Sequence, residues 1–189
     1  MFPIRLRTER LTIREYTPDD IDLIHQYTAE QQGIFFHENP DLSRKDVEDW
    51  LDALLRLAKE PTRYRHQFAV ELLETGTLIG SARVHIDVPD DRQGSVGYAY
   101  PRAYWGRGYG TESARAMLDF GFDELGLHRI EATIEPDNLG SVRVAEKLGM
   151  RLEGHMKERF HTPAGWRDSL LYATTEDEWR TERPSSSAI

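Results

Sequence analysis

Apolar side chains recur along this chain with two spacings, which separate predicted strands from predicted helices. Alternation of apolar and polar residues marks Arg10–Tyr16 as a strand. The run TPDD from Thr17 gives a helix start with a proline near the first turn. Ser43 and Asp46 form a capping pair ahead of a second helical repeat, which we expect to end near Lys59. The first part of the chain therefore predicts one strand followed by two helices.

The middle of the chain changes to strand spacing. Three alternating segments joined by turn residues predict an antiparallel meander, at His66–Leu73, Leu78–Val88 and Gly94–Tyr100. A glycine-rich turn then leads into a helix opened by Thr111 and Glu112. The apolar positions of this helix recur every three or four residues, at Ala114, Met117, Leu118, Phe122 and Leu125.

The last part of the chain alternates between the two spacings. It predicts a strand at His128–Ile134, a helix over Asn138–Leu148 stopped by Gly149, and a hairpin of Arg151–Phe160 with Trp166–Thr174. We find no internal repeat or linker in this pattern. We therefore expect one α/β (α+β) domain over residues 1–182, with residues 183–189 as a disordered tail.

Composition narrows the class of protein. The 189 residues carry a formal charge of −9, from 24 basic and 33 acidic side chains, which argues against nucleic acid as a partner. The sequence has no cysteine, so disulfides, thiolate metal sites and a cysteine-acyl intermediate are excluded. His155 and His161 lack the spacing of a zinc site. With no apolar stretch near 20 residues, and no apolar core in Met1–Thr8, we expect no membrane partner and a cytoplasmic location.

Three glycines at alternate positions, Gly106, Gly108 and Gly110, stand between the predicted strand and the central helix. Such a turn exposes backbone amides next to a helix N-terminus, an arrangement that binds phosphate groups. Dinucleotide-binding spacing needs another glycine at position 111, which is Thr111, and the Gly-Lys-Ser/Thr of nucleoside triphosphate loops is absent. Glycines here could also serve tight packing alone, so the spacing leaves both readings open.

Several segments together resemble the GNAT N-acetyltransferase superfamily. Its acyl-coenzyme A loop, Q/R-x-x-G-x-G/A, is matched by residues 105–110 (WGRGYG), with Trp105 in place of Gln or Arg. Residues 128–154 resemble the second half of that family's cofactor site, including Asn-x-x-Ser and the run EKLGMR. RLTIR, TPDD, LIGSARV and RDSLLYA also match in order, so the resemblance covers about residues 8–179. The most similar branch is the RimJ/RimL-like group of ribosomal-protein N-terminal acetyltransferases.

The resemblance implies a fold and a cofactor. The fold would be a mixed, mostly antiparallel sheet of about seven strands flanked by about four helices, and the cosubstrate acetyl-CoA. Two parallel strands, ending at Tyr100 and near Ile134, would separate to admit the pantetheine arm. The implied cofactor contacts are backbone and side-chain groups of Tyr98, Ala99, Tyr100, Trp105, Gly106, Arg107, Gly108, Tyr109, Gly110, Thr111, Asn138, Ser141, Arg143 and Lys147.

The resemblance also bears on acid catalysis at the sulfur. Many members of the superfamily place a tyrosine seven residues after the helix-opening asparagine, but here that position is Ala145. Ser141 matches a serine of the RimJ/RimL-like branch that approaches the thioester sulfur. Ser141 is also an ordinary residue for the first turn of a helix, and Asn138 an ordinary cap. Ser141 is therefore the candidate acid, with a purely structural role as the alternative.

The general base is the least defined group. Glu131, Thr133 and Glu135 share one face of a strand, and we take Glu131 as the first candidate to order a water near the amine. His37 and Glu38, in the apolar loop Gln31–Asp41, are alternatives, and water alone could carry the proton.

These features predict one activity but leave the identity of the acceptor open. We expect transfer of an acetyl group from acetyl-CoA directly to a primary amine, either a protein or peptide N-terminus or a small amine. The alternative is a non-catalytic acyl-CoA-binding or sensor domain. Homodimers are common in the resembling family, so a second copy of the chain is a candidate partner. Trp50 and Trp105 are candidates for the acceptor mouth, although core burial is the default for both.

Overall fold

A computed structural model describes residues 3–30, 43–162 and 165–182 of the chain. Its centre is an eight-stranded sheet in the order β1-β2-β3-β4-β5-β6-β8-β7. The strands are β1 (Arg5–Arg7), β2 (Leu11–Arg14), β3 (Arg65–Leu72), β4 (Leu78–Val88), β5 (Gln93–Ala99), β6 (Arg129–Ile134), β7 (Arg151–Thr162) and β8 (Gly165–Thr175). The helices are α1 (Ile21–Glu30), α2 (Arg44–Leu57), α3 (Tyr109–Asp123), α4 (Leu139–Lys147) and α5 (Glu176–Glu182).

The sheet is mixed, as expected. Every neighbouring pair of strands is antiparallel except β5 and β6, which α3 joins as a parallel crossover. The sheet has one strand more than the sequence predicts, because β1 is only three residues long and too short for an alternating pattern to reveal. The α/β (α+β) architecture is confirmed.

Two predicted helix starts are confirmed by their caps. A short 3-10 turn at Pro18–Asp20 leads into α1, and Thr17 and Asp20 form a reciprocal capping box there. Ser43 caps α2 in the same way, since its side chain accepts a hydrogen bond from the Asp46 backbone N–H. Within the described ranges, no helix is long and apolar enough to cross a membrane. The predicted loop at residues 31–41 and the tail at 183–189 lie outside those ranges.

The two faces of the sheet are covered differently. On one face, α3 and α4 pack over a core that includes Phe68, Val84, Met117, Leu118 and Ile130. On the other face, α1 and α2 pack over a smaller cluster of Tyr16, Ile24, Val47, Leu51, Ala69 and Leu78.

A part of the second face forms a surface that we call the open face. We define it by six of the residues that share this side of β4, β5 and β6 beyond Ala69, namely Arg83, His85, Ser95, Gly97, Glu131 and Thr133. Arg83 and Thr133 are exposed and the other four are partly exposed. The open face therefore gives access to the sheet from the side opposite α3.

Candidate active site

The glycine turn ends in the first turn of α3. Gly106 and Gly108 have positive φ angles of 72° and 84°, and Gly108 is the N-cap of the helix. Because Gly108 takes the left-handed conformation, the helix begins at Tyr109, two residues before the predicted start at Thr111. Glu112 is the first residue whose amide bonds back to a helical carbonyl, that of Gly108. The amides of residues 109–111 therefore have no acceptor within the helix.

Gly110 serves a different purpose from Gly108. A Cβ atom added at Gly110 would lie 3.2 Å from the Tyr98 ring, so glycine allows that ring to pack against the helix start. Gly106 has open space around it, with no atom within 4 Å of an added Cβ. Trp105, Gly106, Arg107 and Gly108 are all exposed, which leaves the turn accessible to a ligand.

Strands β1 and β2 form an N-terminal hairpin, and Arg10, which lies between them, binds the glycine turn. The Arg10 guanidinium donates to the Arg107 carbonyl oxygen (2.9 Å) and to Glu112 Oε2 (2.7 Å), and it stacks on the Tyr109 ring at 4.9 Å. Thr8 donates its hydroxyl hydrogen to Glu112 Oε1 at 2.6 Å. Burial would raise the pKa of Glu112, but the bonds from Thr8 and Arg10 lower it below its ordinary value. Sequence reasoning missed this clamp, although Arg10 opens the matched RLTIR segment.

An open cavity of about 620 Å³ lies between this hairpin and the start of α3. Arg7, Arg10, Gly108, Thr111, Arg115 and Lys147 are among its lining residues. Lys147 thus lines the same cavity as Gly108 of the glycine turn, and its contact with the cofactor stays a prediction. Arg143 is exposed on α4 and does not line the cavity.

Strands β5 and β6 separate in the way that the resemblance implies. Their pairing runs from Gln93↔Arg129 to Ser95↔Glu131 and stops there. The Arg92 carbonyl oxygen accepts a bond from the Arg129 amide, so even-numbered residues of β5 direct their backbone groups toward β6. Val96 and Tyr98 are the even-numbered residues of β5 beyond this point, and the N–H and carbonyl of Tyr98 face the gap between the strands. A linear thioester arm could bind along that edge.

The other two predicted strand residues have partners elsewhere. Ala99 pairs with Ser81 of β4 and directs its backbone to that side. Tyr100 is buried, its hydroxyl donates to Ser113 Oγ at 2.6 Å, and its carbonyl oxygen accepts the indole hydrogen of Trp105, also at 2.6 Å. Of the three, Tyr98 is the one whose N–H and carbonyl both face the gap without a partner assigned elsewhere among the described residues.

Trp105 does not pack in the core. Its side chain is 56% exposed and lies 5.5 Å from the Arg102 guanidinium. The default expectation of core burial is therefore wrong for Trp105, because its indole hydrogen is already bonded at the turn and holds the ring at the surface. Trp50 is partly buried and packs edge-on against Tyr16 at 5.5 Å.

Two hydroxyl groups lie beside the gap at the start of α4. Asn138 caps the helix, since its Oδ1 accepts a hydrogen bond from the Ser141 amide at 3.0 Å. Burial raises the pKa of the Tyr98 phenol, and the approach of the Ser141 hydroxyl partly offsets this rise. Sequence reasoning identified Ser141 but missed the Tyr98 phenol. The available signal was Ala145, which lacks the usual tyrosine hydroxyl and leaves room for another to take its place.

Glu131 is engaged in an ion pair. Arg129 Nη2 lies 2.8 Å from Glu131 Oε1, and the same guanidinium binds Glu153 of β7. Arg129 lowers the pKa of Glu153 to about 2. Glu131 thus sits on the open face at the last β5–β6 pair, but its carboxylate is held by a neighbour. His37 and Glu38 fall outside the described residues, within which no group of three or more His, Asp or Glu side chains could hold a metal.

Known proteins are similar to this chain over most of its length. A family model described as an acetyltransferase (GNAT) domain matches residues 10–151. The uncharacterized N-acetyltransferase YnaD of Bacillus subtilis is 31% identical over 176 residues, which cover 93% of this chain and 99% of that protein. A provisionally named ribosomal N-acetyltransferase of the same organism, YdaF, is 26% identical, with 93% of this chain and 96% of that protein aligned.

Two further proteins are similar over most of their length. The spermidine N(1)-acetyltransferase of Vibrio cholerae is 26% identical over 168 residues, 84% of this chain and 89% of its own. The crystal structure of a GNAT-family acetyltransferase from Bacillus anthracis superposes with a TM-score of 0.80 at 30% identity, covering 92% of this chain and 99% of that one. The resemblance inferred from the motifs is confirmed: this chain belongs to the GNAT family and is an acetyl-CoA-dependent N-acetyltransferase.

Proposed function

We propose that this acetyltransferase works in a single step, in which a primary amine attacks the thioester of bound acetyl-CoA. The acceptor is a protein or peptide N-terminus or a small amine. The absence of cysteine supports direct transfer, because the chain has no thiol to carry an acyl intermediate. The observation that carries the proposal is the gap beyond Ser95 and Glu131, which meets the start of α3 at Tyr98.

The cofactor would be held mainly by the backbone. We place its pyrophosphate at the amides of residues 109–111, where the partial positive charge of the α3 N-terminus favours anions. Lys147 and Arg115 line the adjoining cavity and would meet the remaining phosphate. The pantetheine arm would then follow the free edge of β5. This path ends next to Tyr98 and Ser141.

The reaction needs three groups, and two have candidates. The Tyr98 amide would donate a hydrogen bond to the thioester carbonyl oxygen as it gains negative charge. As the new C–N bond forms and the C–S bond breaks, the electron pair passes to sulfur, and the Ser141 hydroxyl, with the Tyr98 phenol beside it, would supply a hydrogen bond or proton there.

The third group, the base, need not be a side chain. The attacking nitrogen must lose one proton, and we propose that water on the open face removes it. Glu131 could order that water, but its pairing with Arg129 favours a structural role. Since the free amine is the nucleophile, the rate should rise with pH as the acceptor loses its proton.

A thiol-release assay tests the function directly. Acetyl-CoA would be incubated with N-terminal peptides, polyamines and aminoglycosides, and free CoA thiol measured. Turnover with at least one amine supports the proposal. Tight CoA binding without turnover on any amine would instead identify the chain as a non-catalytic acyl-CoA sensor. This alternative is considered because Ala145 stands where many members of the family have a tyrosine.

We also propose that two copies of the chain associate through β7. This strand is twelve residues long, lies at the edge of the sheet, and leaves Leu152 52% exposed. An unpaired edge with apolar side chains is a surface on which another strand can pair. Light scattering should give twice the mass of one chain, and Leu152→Lys should lower it toward one chain. A single-chain mass for the unaltered protein would refute the dimer.

A further inference from the structure

The open face carries an arginine directly beside the gap between β5 and β6. Arg83 of β4 pairs with Gly97 of β5, the residue before Tyr98. A Cβ atom added at Gly97 would lie 2.6 Å from Arg83 Nε and 3.1 Å from Cζ, so the guanidinium lies on the bare backbone of β5. The absence of a side chain at Gly97 is what gives the arginine this position. Its charged group therefore stands one residue from the amide proposed to bind the thioester oxygen.

Among the described residues, no carboxylate pairs directly with Arg83. Arg10, Arg14 and Arg129 each bind a glutamate or aspartate side chain, whereas Arg83 forms no ion pair or hydrogen bond with any described residue. Burial lowers the pKa of Arg83, Asp87 raises it, and Arg65 lowers it again. An arginine stays charged under these conditions, so the open face holds a cation that no carboxylate of the described residues pairs with directly.

A second polar group on the same face is unpaired within the described part of the chain. His85, two residues further along β4, has a buried Nε2 atom with no hydrogen-bond partner among the described residues. Burial, together with Arg83 and Arg65, lowers the pKa of His85 to about 4, so the imidazole is neutral at physiological pH. Unpaired buried polar atoms are rare in native proteins and call for an explanation. The exposed guanidinium of Arg83 would gain a partner if an anionic ligand entered this face.

We propose that the acceptor amine carries a carboxylate, which binds the Arg83 guanidinium with His85 at its side. This inference rests on the proposed acetyl transfer and specifies its acceptor. With its carboxylate on Arg83, an α-amino acid would hold its amine one carbon away, and a peptide with an acidic second residue would hold its amine several bonds further along, toward the gap proposed for the thioester beside Tyr98. A planar guanidinium can bind a carboxylate through two parallel hydrogen bonds, which also fixes the direction of the amine.

The same charge disfavours polycations. A polyamine would bring one ammonium group to the thioester and others near Arg83, and the carboxylate of Glu131 on this face is already paired with Arg129. Similar proteins are named for acting on ribosomal proteins or on spermidine, and the open face would distinguish between such acceptors by their charge. It favours α-amino acids, or peptides with an acidic residue near the N-terminus, over spermidine.

The experiment compares matched acceptors on two variants. An α-amino acid, its uncharged amide, a peptide with Asp at position 2, its Asn counterpart, and spermidine would be assayed with the unaltered enzyme, Arg83→Gln and Arg83→Lys. We expect the carboxylate forms to be preferred in kcat/KM, and Arg83→Gln to abolish that preference with a loss of about 10- to 100-fold, mainly in KM. Arg83→Lys should restore part of it. Arg56→Gln, an exposed arginine on α2, is the matched control and should change nothing.

The outcomes separate the inference from the function on which it rests. A preference for the charged member of only one pair, either the amino acid over its amide or the Asp peptide over the Asn peptide, supports the inference. It also identifies which kind of acceptor supplies the carboxylate. Equal rates for each charged and uncharged pair, or a preference for spermidine, would overturn the inference while leaving acetyl transfer intact. CoA binding without turnover on any amine would overturn both.

Discussion

The two faces of the sheet at the gap between β5 and β6 are built by different means. On the α3 side, the candidate cofactor site consists of backbone amides released by glycines and held in place by Arg10. On the open side, the candidate acceptor site consists of side chains on regular strands, chiefly Arg83 and His85. A backbone site depends on a few glycine positions and accepts one kind of ligand. A side-chain site on a rigid sheet can change its acceptor through single substitutions.

The largest test breaks the backbone site. Gly108→Val should weaken CoA binding on the order of 1,000-fold, because a β-branched residue is strained at a φ of 84° and the realigned amides would lose charge-assisted bonds. Calorimetric titration with CoA measures this loss. Gly76→Val is the control, since it creates similar strain at a φ of 69° in the turn between β3 and β4. If both variants bind CoA as tightly as the unaltered chain, the turn does not hold the pyrophosphate.

The next largest effect is expected at Ser141, beside the gap between β5 and β6. Ser141→Ala should lower kcat by about 100-fold with little change in CoA affinity, the scale of one acid contact at the sulfur. Steady-state kinetics with saturating acetyl-CoA gives the value. Ser43→Ala removes a serine from the cap of α2 and should lower stability without lowering kcat. An unchanged kcat in Ser141→Ala would leave this residue as part of the α4 cap.

A third test concerns the charge state of the open face. As pH falls from 6.5 to 4, an unfolded chain protonates its histidines while His85, with a folded pKa of about 4, stays neutral, so stability is lost across that window. His85→Gln should remove on the order of 1–2 kcal/mol of this loss and flatten the dependence. Urea unfolding at a series of pH values measures it, with the exposed His161→Gln as control. An unchanged slope would show that the His85 imidazole is not desolvated.

The smallest effect is expected at Glu131. Because its carboxylate is paired with Arg129, Glu131→Gln should change kcat by less than about 3-fold, whereas loss of a true general base costs about 100-fold or more. The pH dependence of kcat/KM would be measured alongside. A large loss together with a shifted acidic limb would return Glu131 to the role of base and make the open face catalytic as well as selective.

The sequence predicts the local features of the two sides but not the contacts between residues that are far apart in the chain. The caps at Thr17, Ser43 and Asn138 and the glycine turn are local signals, and the structure reproduces them. The start of α3 was misplaced by two residues because helical spacing does not report where a left-handed cap falls. The contacts of Tyr98, Arg10 and Arg83 join residues far apart in the chain, so spacing alone could not reveal them.

The bonds from Arg10 to Arg107 and Glu112 join the first two strands to the candidate cofactor site. Through thermodynamic linkage, a ligand that orders this turn also stabilises the N-terminal hairpin that grips it. Amide hydrogen exchange near Thr8 and Leu11 should slow when CoA is added, although the proposed contacts are made with other segments. Removing the residues before Leu11, or fusing a bulky tag there, would remove or disturb the bonds from Arg10 to the turn. Such a change should weaken CoA binding as a substitution in the turn itself would.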